Sequence, residues 1–343
     1  MADTTKTILD VKSGDQGPVV WQAQMSADDV FVAPNKRPGG WCNTPTLQNL
    51  FAKKPIALKL TAKAALPAVP ALPRLAAKTS QPTGVTAVGG VVTDQSGRWL
   101  RYERLMNLPE YKAITSNSWY RLKKLNSISS LTLPTGSIEF KSAWKILTPA
   151  EVAGGRYYTT SATVYNTPDG AKSPGPNPVT LGLVGLHIIN KTPTRSGFFW
   201  STFEQVDNDS VFSNTNSKTT PNTQTAKKPY TELNPNGTPI NTPVQIQRET
   251  PVQADPKLNT YYQQLLSGSV FTNYRLVSTQ WQFGGAPQGA PPNVANIVIE
   301  TYVQKVSNKA KNPSTGCFAC HLNTTAKNGK TNTDHSFLFL EAK

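Results

Sequence analysis

Cysteine, histidine and methionine are scarce in this chain, with three of each among 343 residues. A disulfide-rich secreted scaffold is therefore excluded, because such folds need several cysteine pairs. No run of about eighteen apolar residues occurs, so the sequence predicts no membrane-spanning helix. Charged residues make up only 16% of the chain, and 20 Asp and Glu stand against 35 Lys and Arg.

Proline (28 residues) and glycine (23 residues) are frequent, and Thr, Asn and Ser are abundant by eye. These residues favour turns and strands over helices, since proline lacks a donor and short polar side chains bond to local backbone. We expect a mainly β, sandwich-like body with a few short helices and long Pro/Thr/Asn-rich loops or arms. Residues 18–343 would form one domain after a lightly held leader at 1–17, with a Pro-rich arm at 53–88 and a polar surface loop at 207–256.

The apolar pattern predicts a small set of elements. Its most continuous apolar run, Val179 to Ile189, predicts a central buried strand that contains His187. The Leu/Ala/Lys-rich start of the arm predicts an amphipathic helix up to about Leu66. The other predicted strands are two within 91–103 and one each at 136–147, 157–165, 198–203, 271–283 and 337–340; helices are predicted at 109–120 and 256–266, and 297–306 could be a helix or a strand.

The stretch Cys317-Phe318-Ala319-Cys320-His321 has the form C-x-x-C-H. In this pattern two thiols attach to the vinyl groups of one haem, and the adjacent imidazole ligates the iron. Three other readings stay open: a redox dithiol, a structural disulfide between the two cysteines, and a zinc site that includes His335. We predict haem. A redox dithiol usually lies at a strand-to-helix junction, which the sequence does not show here, and a zinc site would lack a good fourth ligand.

The other haem contacts have weaker signals. His187 and His335 are the candidates for a sixth iron ligand, with Met106 or an open position as alternatives. The aromatic residues Phe199 and Trp200 are expected to wall the pocket. Cys42 has no expected partner and is predicted to be a buried thiol.

Several segments recur in the order seen in a family of exported bacterial cytochrome c-like proteins, and the chain resembles that family. They are VVWQAQMSADDVFV, VTDQSGRWLRYERLMN, GSIEFKSAWKIL, LGLVGLHIINKTPTRSGFFWSTFEQVDN, ANIVIETYVQ, and GCFACH with DHSFLF. The resemblance implies one covalent haem c and a periplasmic or extracellular location. The inserts at 60–85 and 210–250 depart from the family pattern and suggest added arms for assembly or attachment.

The predicted function is that of a monohaem electron-transfer or haem-redox protein outside the cytoplasm, a carrier or binding protein rather than an enzyme. Alternatives are a surface-assembly protein in which haem is secondary, with copies joined through the arms, and a haem protein that reacts with peroxide or a small ligand. The net charge of +15 fits either general solubility or docking to an acidic redox partner. Without a recognisable nucleic-acid module, charge alone does not predict nucleic-acid binding.

Met1 to Asp15 is polar and contains no apolar segment of the kind found in a secretory signal. Covalent haem attachment is normally completed outside the cytoplasmic membrane. We therefore expect that a leader is missing from this sequence or that its start is misplaced; an unloaded motif is the alternative.

Overall fold

The computed structural model describes residues 21, 24–41, 58–61, 100–165, 179–194, 197–209, 232–233, 239–240, 248, 250–283, 286–289, 294–300, 317 and 321–343. The strands are β1 (Met25–Ser26), β2 (Leu58–Thr61), β3 (Arg101–Met106), β4 (Ile138–Ile146), β5 (Thr159–Tyr165), β6 (Val179–Lys191), β7 (Phe198–Gln205), β8 (Glu232–Leu233), β9 (Pro239–Ile240), β10 (Tyr274–Phe283) and β11 (Ala286–Gly289). The helices are α1 (Ala27–Val30), α2 (Leu108–Ser116), α3 (Leu122–Leu125), α4 (Pro149–Gly154) and α5 (Pro256–Leu265). Single 3₁₀ turns occupy Val270–Asn273 and Leu338–Glu341.

One large sheet organises the described part of the chain. Its strand order is β1-β3-β4-β6-β7-β10-β11, with β5 also paired to β6 and β2 paired in parallel to β5. The pairs along the main path are antiparallel. The mainly β class with a few short helices is confirmed. The long strands lie in this single sheet, covered by helices and loops, rather than in two stacked sheets.

Strand β6 is central because its thirteen residues pair with β4, β5 and β7. The run Leu181 to His187 is buried, as expected for a strand covered on both faces. Position 185 needs glycine because Val298 packs closely against it: a Cβ there would lie 2.7 Å from Cγ2 of Val298. The predicted central strand is therefore present and extends two residues further, to Lys191.

Side chains alternate between the two faces of the sheet, and each face carries its own apolar cluster. One face packs Ile189, Phe198 and Trp200 against α1, α2 and the C-terminal residues, including Phe339. The opposite face includes Phe140 and packs around Trp21, Trp144, Tyr158 and Phe271. The first of these faces holds the candidate site.

Two local predictions are wrong. Residues 58–61 form strand β2 where a helix was expected, and the sequence Leu-Lys-Leu-Thr has the period of two that suits a strand. The expected final strand at 337–340 is instead a 3₁₀ turn with Leu338 and Phe339 buried. Four apolar residues in a row do not by themselves distinguish a strand from a helical turn.

The predicted leader at 1–17, Cys42 and most of the arm at 53–88 lie outside the described residues. The two ends of the 207–256 tract are tied to the body, since Asp209 bonds Arg275 of β10 at 2.6 Å and Arg248 pairs with Glu204 of β7. Among the residues that the structure describes, no helix is long and apolar enough to cross a membrane.

Candidate cofactor site at the C-terminal segment

Cys317 is held against the sheet by Gln280. The backbone N–H of Cys317 donates to Oε1 of Gln280 at 2.7 Å. Gln280 lies on β10 with 2% of its surface exposed, and it pairs in register with Trp200 of β7. Phe318, Ala319 and Cys320 lie outside the described residues, so the structure places the first cysteine of the motif but not the second.

His321 and His335 form a reciprocal pair. Nδ1 of His321 lies 2.7 Å from the carbonyl oxygen of His335, and Nδ1 of His335 lies 3.0 Å from the carbonyl oxygen of His321. A carbonyl oxygen only accepts, so each Nδ1 carries the proton and donates it. In neutral His321 the Nε2 atom then keeps its lone pair, which is the form that binds a metal.

Burial lowers the pKa of His321 to about 4, although its hydrogen bond to the His335 carbonyl acts in the opposite direction. The imidazole is therefore neutral at neutral pH. Metal-ligating histidines commonly donate their second ring N–H to a backbone carbonyl, which fixes the tautomer and the ring orientation. His321 shows this arrangement, so its chemistry fits an axial iron ligand.

The Trp200 ring packs against both imidazoles. Its ring centroid lies 5.4 Å from that of His321 and 6.0 Å from that of His335. Phe337 also packs against His321, with the two ring centroids 4.6 Å apart. The prediction that Trp200 lies at the motif is consistent with these contacts.

Phe199 does not share that wall. It lies on the opposite face of the sheet, where it stacks on Trp281 with ring centroids 5.7 Å apart. Neighbouring residues of one strand point to opposite faces, so Phe199 and Trp200 cannot line the same side.

A left-handed turn presents the carbonyl of His335. Asp334 and His335 have positive φ values of 52° and 71°, which non-glycine residues rarely adopt. The carboxylate of Asp334 fixes the turn by accepting from the N–H of Leu133 at 2.8 Å and by pairing with Lys191. These contacts offset the backbone strain that the turn carries.

His187 lies on the same face as Trp200, because His187 pairs with Thr202 and Ile189 pairs with Trp200. Its Nε2, however, lies 2.8 Å from Oε1 of Glu300. Burial alone would raise the pKa of Glu300, but its contacts with His187, Lys141 and the Asn296 backbone outweigh that effect and lower the pKa overall. The Nε2 atom of His187 is thus already engaged by a carboxylate.

Met106, the remaining ligand candidate, is fully buried at the end of β3 within the apolar cluster. Within the described ranges no group of three or more His, Cys, Asp or Glu side chains is arranged to hold a metal ion.

Sequence reasoning missed Gln280 and Asp334, which position the two ends of the site. Gln280 lies 37 residues before Cys317, and nothing in the local pattern marks it as a partner. Asp334 had one usable signal, since a short polar residue before His335 is typical of a left-handed turn.

No protein-family model, curated protein or solved structure matches this chain. The function is therefore inferred from the C-x-x-C-H motif and from the geometry around it.

Proposed function

We propose that the chain binds one haem c covalently through Cys317 and Cys320, with His321 as the axial iron ligand. The observation that supports this most is neutral His321, which donates its Nδ1–H to a fixed carbonyl directly after a C-x-x-C pair. The bound haem would supply one-electron chemistry. We assign the protein to electron transfer or haem-based redox work outside the cytoplasm, where such haems are attached.

The chain's own residues would orient and shield the group. Gln280 holds the backbone at the start of the motif, and the His335 carbonyl holds the imidazole at its end. Trp200 packs beside that imidazole from a strand in the middle of the sheet. A ligand whose ring is fixed by a hydrogen bond and by packing against a sheet residue reorganises little when the iron changes charge, which suits electron transfer.

For the sixth ligand we favour His335 over His187. The His335 ring packs on the same Trp200 as His321, and its Nδ1 is already used as a donor to a carbonyl. His187 would first have to leave Glu300. An open sixth position is the alternative, and it would favour a protein that reacts with peroxide or a small ligand.

The test is an absorbance spectrum and a pyridine haemochrome assay of protein co-expressed with a haem-maturation system. We expect a c-type, low-spin spectrum. His335→Ala should convert it to high spin, whereas His187→Ala should leave it low spin. A colourless protein would refute the proposal, and loss of the low-spin signal only in His187→Ala would reverse the ligand assignment.

The net charge of +15 supports docking to an acidic redox partner. Reduction by an acidic donor protein should then slow steeply as salt is added, because screening weakens the attraction between exposed charges. A rate that does not depend on salt would contradict electrostatic docking.

Helix α5 supports the second candidate function, surface assembly through copies of this chain. Its Asn259 and Gln263 side chains face the sheet and bond the backbone of β10 at 2.8–3.1 Å. The outward side carries four large side chains between 41% and 60% exposed: Leu258, Tyr261, Tyr262 and Leu265. Such an apolar stripe matches itself across a two-fold axis.

Sedimentation velocity at rising concentration tests this candidate. We expect association that the double substitution Tyr261→Ser and Leu265→Ser abolishes. Val152→Ser is the matched control, since Val152 is 44% exposed on a different helix. A monomer at every concentration would dismiss assembly through α5.

A further inference from the structure

Three short segments that meet at the surface carry exposed basic side chains. The segments are the loop after α1, helix α3 and the hairpin loop 324–333. Each lies next to a residue that is buried in the same apolar cluster: Phe31, Leu125 and Ala326 respectively. We call their six exposed basic residues the basic surface: Lys36, Arg37, Lys123, Lys124, Lys327 and Lys330.

The hairpin loop 324–333 is fixed against α3 by side-chain hydrogen bonds. The hydroxyl of Thr331 donates to the carbonyl oxygen of Leu125, the last residue of α3, at 2.6 Å. The amide of Asn328 donates to Oδ1 of Asn126 at 3.0 Å. The two lysines of the hairpin loop are thus held beside the two lysines of α3.

Arg121, the residue before α3, joins the loop after α1 to this group. Its Nη1 atom donates to the carbonyl oxygen of Pro34 at 2.9 Å. Lys36 and Arg37 follow Pro34 by two and three residues, and the N–H of Lys36 closes a turn onto the carbonyl of Ala33 at 2.9 Å. The basic surface is therefore assembled by the fold from residues that are far apart in sequence.

Carboxylates of the described residues do not neutralise these positive charges. Among the residues that the structure describes, none of the six side chains forms an ion pair. The two acids of the C-terminal segment are already engaged, since Glu341 lies 3.3 Å from Arg104 and Asp334 pairs with Lys191. Positive charges grouped without counter-charges create a field that attracts anionic partners.

The chemistry of the basic surface favours an acidic protein over other anionic partners. Five of its six residues are lysines, which act as hydrated point charges rather than as bidentate forks for phosphate. The exposed large apolar side chains of the described residues all lie on α4 and α5. The basic surface therefore offers no exposed ring for stacking on a nucleic-acid base and no apolar side chain for insertion into a bilayer.

We propose that the basic surface docks the acidic face of a partner protein. His321 and His335 lie just outside the two ends of the hairpin loop that carries Lys327 and Lys330. Lys327 is six residues from His321, so their backbones lie within about 22 Å of each other. A partner docked here is thus placed beside the candidate cofactor site. Electron exchange with that partner rests on the proposed function, whereas docking itself requires no haem.

Fluorescence anisotropy of a short labelled poly-L-glutamate peptide tests the docking on the full chain. We expect binding that weakens as salt is added, because salt screens exposed charges. Lys124→Glu and Lys327→Glu should each weaken binding about fivefold or more, since each change removes an attraction and adds a repulsion. Both side chains are exposed, so neither substitution disturbs the core.

Lys257→Glu is the matched control, because it changes the net charge by the same amount. Lys257 is exposed on α5, and the C-cap residue of α5, Leu266, packs on the opposite face of the sheet. This variant should bind poly-L-glutamate within about twofold of the wild type. Equal weakening by all three reversals would show that only net charge acts, and it would overturn the basic surface.

Two other anions test the class of partner: vesicles that contain phosphatidylglycerol, and single-stranded DNA. Tighter binding of either one than of poly-L-glutamate, weakened by Lys124→Glu and Lys327→Glu, would overturn the acidic protein partner. All binding is measured on chain produced with and without the haem-maturation system, and we expect the same affinities. A colourless protein that still binds poly-L-glutamate through this surface would refute the proposed function and support docking.

Discussion

Replacement of Gln280 by leucine tests whether β10 positions the start of the motif. Gln280 accepts the N–H of Cys317 at 2.7 Å and is almost fully buried. A buried donor left without an acceptor costs about 1–3 kcal/mol. Cys317 is only partly buried, so water can reach its N–H, and we expect a loss near the lower end, about 1 kcal/mol. A loss of that size reduces the anchored population by about fivefold.

The assay is the haem content of the variant after co-expression with the maturation system, together with urea unfolding of the haem-free chain. We expect haem incorporation to fall several-fold without disappearing. Gln205→Leu is the matched control, since Gln205 is a fully buried glutamine on β7 whose Oε1 accepts the N–H of Asp207 at 2.5 Å. It should lose similar stability yet incorporate haem normally. Equal haem content in Gln280→Leu and in the wild type would refute the positioning role.

Three other predictions concern the body of the protein. Gly185→Ala should lower the free energy of unfolding by about 1–3 kcal/mol in a urea titration, because the new Cβ would lie 2.7 Å from Cγ2 of Val298. Gly154→Ala is the control and should not lower it, since the space around Gly154 is open. Burial raises the pKa of Glu103 to about 7, so the stability that the protonated Glu103 contributes is lost as the pH rises through about 7. In thermal unfolding around pH 7, the melting temperature of Glu103→Gln should therefore change less with pH than that of the wild type. Arg156→Ala removes an exposed ion pair with Asp207 and should cost no more than about 1 kcal/mol, and a larger loss in a urea titration would show that the pair is not merely a surface contact.

The strands of the body could be predicted from the sequence because their signals are local. The strand at 136–147 is found at Ile138–Ile146, and the strand at 157–165 is found at Thr159–Tyr165. Alternating or continuous apolar residues define such elements without knowledge of their neighbours. The pairing order of β6 with β4 and β7 needed the structure, since many strand orders bury the same residues.

The candidate site could be predicted only in part for the same reason. Cys317 and His321 belong to one local motif, whereas Gln280 and Glu300 act across large separations in sequence. From the sequence, His187 and His335 were equal candidates for the sixth ligand. The contact of His187 with Glu300 distinguishes them, and no local sequence pattern links these two residues. Strand alternation alone predicts that Phe199 and Trp200 point to opposite faces of the sheet.

The proposed function depends on covalent attachment of haem to the C-x-x-C-H motif. Intact-mass spectrometry under denaturing conditions, after co-expression with the maturation system, tests it most directly. We expect a mass increase equal to one haem, carried by the peptide that contains Cys317 and Cys320 and absent when both are replaced by serine. An unmodified mass in the wild-type chain, or a haem that is lost on denaturation, would contradict it.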